Sequence, residues 1–155
     1  MEEVFSETAE RLSDEAVLER FRNSSRQPPG SRLLGFEMLR VDQARLEVEI
    51  GFDAGPQFGN PMGQVQGGYV CAMLDECMSV AGVVASNFTC VMPTLEMKTS
   101  FLRPAMPGRL RGVGRVVEWG RTIAFTEGEL YDEAGKLVAR ASGTAMPTPR
   151  SRFRA

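Results

Sequence analysis

Histidine is absent from the 155 residues, and that gap removes several kinds of chemistry. A Ser-His-Asp or Cys-His nucleophile system, a histidine metal site and a histidine general base are all excluded. Acid–base work falls to Asp, Glu, Tyr, Lys or Cys. Cysteine is scarce: Cys71, Cys77 and Cys90 are odd in number and form no C-x-x-C pair. Cys71 and Cys77 lie on different faces of the helix expected there, cannot bridge within it, and read as reduced core residues. Lysine is nearly missing, with only Lys98 and Lys136, so the cations are mostly arginines, a type suited to phosphate contact. The net charge of −2 provides no basic field that would point to nucleic acid. The first residues, MEEVFSETAERLS, are acidic and carry no apolar signal-peptide run, which makes the cytoplasm the expected compartment.

What is present is globular. The chain is 43% apolar and 25% charged, ordinary values for one domain with a sizeable core. Residues 60–86, NPMGQVQGGYVCAMLDECMSVAGVVAS, organise the rest. A polar turn ends in Gln66-Gly67-Gly68, and from Tyr69 to Ala85 the only charges are Asp75 and Glu76. A helix so apolar all round is wrapped by its fold. Two adjacent carboxylates at its middle argue against a membrane span.

Asp75 is flanked at three and four residues' distance by Cys71, Ala72, Met78 and Ser79, a largely apolar stripe. Either Asp75 and Glu76 mark one solvated edge, or Asp75 is a carboxylate held in a dry cleft for general-base or nucleophilic work. The glycines before the helix let a ligand oxygen approach the unpaired N–H groups and positive dipole end of its N-terminus, an oxyanion site in outline. At about 1.5 Å rise per residue, Asp75 lies roughly 12 Å along the axis from Gly67. One helix cannot bring both groups onto a single carbon, whereas two antiparallel copies across a two-fold axis can. A site built from them is shared between subunits.

In chain order, Ser13 caps a short helix, DEAVLERFRN, which SSRQPPGS stops. Residues 34–41 and ARLEVEIGF form a hairpin with one wet face, and DAGPQFGNPMGQV is a loop. After the long helix, TLEMKTSF, LRGVGRVVEW, TIAFTEGELY and KLVARASGTAM alternate as a four-stranded meander. The expected division is residues 1–33 as N-terminal helix and linker, 34–146 as the folded domain, and 147–155 as a basic, flexible tail.

That order resembles the hotdog fold, an α+β architecture in which a curled antiparallel sheet wraps one central helix. Asn60-Pro61-Met62-Gly63-Gln64-Val65-Gln66-Gly67-Gly68 with Asp75 downstream, then TLEMKTSFLRPA and GRTIAFTEGELYDEAGKLVARASGT, resemble the phenylacetate-pathway branch of acyl-CoA thioesterases, which includes the thioesterase superfamily member 2 type. The likeness spans roughly residues 34–146. It implies Asp75 as the catalytic carboxylate and Gly67 as the backbone donor to the thioester carbonyl. It also implies Asn60 as a group that positions the water or the carbonyl, with Gly68, Ser79 and Thr94 beside the substrate. Gln66 stands where the branch has histidine. It can donate a neutral hydrogen bond but cannot titrate near neutral pH. The implied partners are an acyl-CoA and further copies of this chain, as a dimer or a dimer of dimers. No cofactor, metal, nucleic acid or membrane is called for. A hotdog protein that binds acyl-CoA without turnover is the alternative; a hotdog hydratase would need the missing histidine.

Overall fold

The computed structural model describes residues 10–25 and 27–153. The acidic start of the chain and the last two residues of the tail lie outside them. Helix α1 (Asp14–Arg22) begins as its sequence predicts, with the Ser13 hydroxyl accepting from the Ala16 N–H at 3.2 Å and Val17 buried. Proline and glycine in SSRQPPGS do not exclude structure. A five-residue helix α2 (Pro29–Leu33) starts with Pro29, where the missing N–H costs nothing.

Strands β1 (Glu37–Asp42) and β2 (Glu47–Ala54) form the expected hairpin. A one-turn 3-10 helix (Pro56–Phe58) interrupts the loop that follows, and then α3 runs from Gly67 to Ala85. The remaining strands are β3 (Cys90–Val91), β4 (Thr94–Phe101), β5 (Gly108–Trp119), β6 (Ala124–Tyr131), β7 (Leu137–Ala145) and β8 (Thr148–Pro149). β1, β2 and β4–β7 make one antiparallel sheet in the order β1-β2-β5-β6-β7-β4. This sheet, packed against the single long helix, is the hotdog fold.

Two expectations need correction. TLEMKTSF does not open a meander: β5-β6-β7 is one, but β4 pairs with β7 at the far edge while β5 takes the place beside β2. The 19 residues of α3 advance the chain by roughly 28 Å, several times the strand spacing of about 4.8 Å, so β4 need not start next to β2. Nor are residues 147–153 a free tail. Thr148 is buried and pairs with Val91, and the Arg150 N–H donates to the Thr89 carbonyl at 2.9 Å.

The core forms where α3 meets the inner face of the sheet. Met73, Leu74, Cys77 and Met78 are buried there against Phe52, Leu110 and Leu130. Each large apolar side chain enclosed in this way contributes about 1.5–3 kcal/mol. Gly112 and Gly114 on β5 and Gly128 on β6 line the track beneath the helix. A Cβ at Gly114 would overlap the Cys77 carbonyl, so the helix backbone lies directly on the sheet. On the outer face Arg111 reaches Glu49 at 2.9 Å and Arg115 reaches Glu127 at 2.7 Å, the wet side that the alternation requires.

Coverage is uneven. By length and composition α3 could cross a membrane, yet its buried residues make it the core helix of this fold. Along one side Gly68 and Ala72 stay exposed and Asp75 and Ser79 half-buried, at helical spacings of four, three and four. Edge strand β4 has no buried position, and Leu95 and Phe101 on it are exposed.

Candidate active site

The loop before α3 is held by its own backbone and by Asn60. The Asn60 side-chain oxygen accepts from the Met62 N–H at 2.9 Å and the Gln64 N–H at 3.1 Å, and Gly63 takes the left-handed φ of 76° that the turn requires. The Gln66 N–H donates to the Phe58 carbonyl at 2.8 Å, and the buried Phe58 ring stacks on Tyr69 with centroids 4.2 Å apart. The chain therefore enters α3 along a fixed path. Gln66 is the N-cap residue, but its side chain makes no capping bond and is exposed. The Gly67 and Gly68 N–H groups have no acceptor among the described residues.

The Gly67 donor stands at a cavity of about 380 Å³ whose lining includes Asn60, Val65, Gly67, Phe101, Arg103 and Val138. Phe101 lies against Gly67 so closely that an added Cβ would meet the ring at 3.2 Å. Because the Asn60 oxygen is committed to the loop, its NH₂ is the part left for a ligand. Arg103, whose guanidinium also donates to the Leu137 carbonyl at 2.7 Å, is the arginine among the lining residues.

Asp75 does not line this cavity. Its Oδ1 accepts from the Thr94 hydroxyl at 2.6 Å, joining α3 to the first residue of β4. Ser79 is half-buried one turn further on and has no hydrogen-bond partner among the described residues. Within one chain the structure thus brings Asn60 and Gly67 together and, separately, Asp75 and Thr94. Gly68 and Ser79 sit on the uncovered stripe of α3.

Glu76 is the residue that the sequence underrated. Its Oε1 accepts from the Ser31 hydroxyl at 2.6 Å. Burial pushes its carboxyl above the ordinary value, helped by the neighbouring Asp75 charge and opposed by the Ser31 bond. Glu76 turns inward to Ser31 while Asp75 stays on the uncovered side of α3, and each is held by a hydroxyl from a different segment. Burial also pushes the Cys77 thiol far up, which suits the inert core role read from the sequence.

A hotdog domain with an open helix N-terminus beside a cavity, and a hydroxyl-bound carboxylate on the same helix, defines a class of proteins that handle acyl thioesters. Residues 62–139 match the Thioesterase superfamily, and the chain belongs to that family. It is 32% identical over 115 residues to the proofreading thioesterase EntH of Klebsiella pneumoniae, covering 73% of this chain and 82% of that protein. It is 27% identical over 108 residues to the 1,4-dihydroxy-2-naphthoyl-CoA hydrolase of Escherichia coli, covering 68% and 78%. Among solved structures, a phenylacetic acid degradation-related protein of Ralstonia eutropha superposes with a TM-score of 0.77 at 37% identity, covering 83% of this chain and 98% of that one. The chain is a thioester hydrolase.

Proposed function

We propose that this protein hydrolyses an acyl-CoA to the free acid and CoA in a site shared by two subunits. The observation that carries the proposal is the division of the groups within one chain. The unpaired Gly67 N–H opens on a cavity with Asn60, while Asp75, held by Thr94 of β4, lies about two turns along the same helix, on its uncovered side. A second copy with α3 antiparallel brings its Asp75 to the first copy's Gly67. The unpaired β4 edge is the surface through which two sheets can join.

In this arrangement the thioester carbonyl accepts from the Gly67 N–H, and the helix dipole favours the charge that develops on its oxygen. One such donor contributes about 3–4 kcal/mol to catalysis. The Asn60 NH₂ orients the reacting group, and the exposed Gln66 side chain, next in sequence to Gly67, supplies a neutral hydrogen bond. Asp75, aligned by Thr94, removes a proton from the attacking water, or attacks the carbonyl itself and expels the CoA thiolate to form an anhydride that water then opens. Gly68 and Ser79 flank the substrate along the stripe. Arg103 is placed to meet a CoA phosphate.

The test is CoA release, read with a thiol-reactive dye over short, medium, long and aromatic acyl-CoAs. Turnover on any class is expected. No release across the panel, from protein shown to be folded and dimeric, would overturn hydrolysis and leave an acyl-CoA binder.

A further inference from the structure

The cavity at Gly67 is closed on one side by a ring that has no part in the hydrolysis argued above. Phe101 ends β4 and is 57% exposed, so it adds little to the core. Its place is nonetheless fixed. Leu102 and Arg103, which follow it, are clamped to β7, their N–H groups both donating to the Val138 carbonyl at 2.9 and 3.1 Å. The Arg103 guanidinium donates to the Leu137 carbonyl at 2.7 Å. Further on, the Ala105 carbonyl accepts from the Val65 N–H at 2.8 Å, which ties the segment to the loop before α3. Held in this way, Phe101 lines the cavity with Asn60 and Gly67.

The ring meets Gly67 by its tip. Its Cζ and Cε1 are the atoms that a Cβ on Gly67 would touch, at 3.2 and 3.3 Å. The rim of an aromatic ring carries the positive part of its quadrupole and the face carries the negative part. Phe101 thus covers this end of α3 with its rim, which does not oppose negative charge gathering beside Gly67. No side chain performs this cover from the helix itself, because the N-cap residue Gln66 makes no capping bond. Water that reaches a bare N–H competes with a ligand oxygen for it, and excluding that water strengthens the bond the ligand makes.

We propose that Phe101 is a positioning residue for the thioester carbonyl: its rim screens the Gly67 N–H from water and confines the carbonyl oxygen to that donor. The proposal rests on the shared-site hydrolysis argued above, and Phe101 acts in it through Gly67. Without the ring a substrate still binds, but its carbonyl shares the donor with water and samples more than one orientation. The loss falls on the transition state, whose oxygen carries more charge than the carbonyl of the bound substrate. A Phe101 that only packed the β4 edge against a second copy would affect dimer mass and ligand affinity instead.

The experiment uses the full chain with Phe101→Ala and with Phe101→Leu, a milder change that keeps apolar bulk. Kinetics are measured on hexanoyl-CoA and benzoyl-CoA, and calorimetric affinity on the hexyl-CoA and benzyl-CoA thioethers, which lack the carbonyl. The infrared band of the same acyl-CoAs, isotope-labelled at the carbonyl, is recorded on Asp75→Asn with and without the change at Phe101. Phe101→Ala should lower kcat roughly tenfold or more, a part of the about 10²–10³-fold that removal of an oxyanion donor costs. Thioether affinity should stay within about threefold and the dimer mass should be kept. The carbonyl band should be narrow and below its solution frequency beside the intact ring, and should broaden toward that frequency without it. Phe101→Leu should fall between, and it decides the matter alone if Phe101→Ala does not fold. A kcat within about twofold of wild type, or a kcat loss matched by the thioethers, overturns the inference. So does loss of the dimer, or a band that does not move. No CoA release with the ring-dependent band intact removes hydrolysis and keeps the role of Phe101; turnover indifferent to Phe101 does the reverse.

Discussion

Thr94 donates a 2.6 Å hydrogen bond to Asp75, fixing the first residue of the edge strand to the middle of the core helix. A carboxylate so held has one oxygen committed, which restricts its rotation. A charge-assisted bond of this kind contributes about 1.5–3 kcal/mol. Thr94→Val should lower kcat roughly tenfold or more with a smaller change in KM, because alignment is lost and binding is not. Asp75→Asn should lower kcat by about 10²–10⁴-fold while the melting curve and dimer mass are preserved. Near-native kcat in Asp75→Asn would refute the assigned role.

Division of the site between subunits predicts complementation. Asp75→Asn and Asn60→Ala should each be nearly inactive alone. When the two are unfolded together and refolded at equal amounts, half of the dimers are mixed and each mixed dimer has one intact site. About a quarter of wild-type activity should return. If the catalytic groups came from one chain, none would. Sedimentation should give twice the chain mass of 17.0 kDa, or a multiple of that dimer.

The glycine track under α3 sets a stability prediction. A methyl group at Gly114 would meet the Cys77 carbonyl, which is helix backbone and cannot rotate away. Gly114→Ala should cost about 3 kcal/mol, near the upper end for overpacking, and lower the melting temperature by roughly 10 °C. Gly135→Ala provides a contrast. Its site is open but its φ is 74°, so its smaller cost arises from backbone strain alone.

Glu76 makes stability depend on pH in a defined direction. Burial raises its folded pKa above the ordinary 4.5, so the folded state holds the proton more tightly than the unfolded chain. Stability then falls as pH rises from about 4.5 through the raised value, and the loss is complete above it. Glu76→Gln carries no charge and keeps an acceptor for Ser31. The difference in unfolding free energy, variant minus wild type, should grow with pH over that window and then level off. Urea titrations at a series of pH values measure it, and a difference that does not vary with pH would contradict the burial of Glu76.

Much of this protein is legible in its residues because local chemistry decides it. The uninterrupted apolar run after Gly67-Gly68 specifies α3, Ser13 specifies the start of α1, and alternation between turn residues specifies β4 to β7 nearly to their ends. The missing histidine narrows the chemistry, Gly67 and Asp75 stand out by type and spacing, and Asn60 enters through the family resemblance alone. Strand order is different. Alternation shows which face of a strand is wet but not which neighbour it will have, so the position of β4 beyond β7 depends on where α3 releases the chain. Proline in SSRQPPGS reads as a breaker because its tolerance in the first turn of a helix shows only once α2 exists. Ser31 and Glu76 are 45 residues apart, and Thr94 and Asp75 are 19 apart, so nothing local links them. The sequence by itself determined the long helix, the main strands and the candidate groups Gly67 and Asp75, because these follow from side-chain periodicity and residue type. Only the tertiary structure decided which hydroxyl holds which carboxylate, and which ring closes on Gly67, because packing alone brings such distant segments into contact.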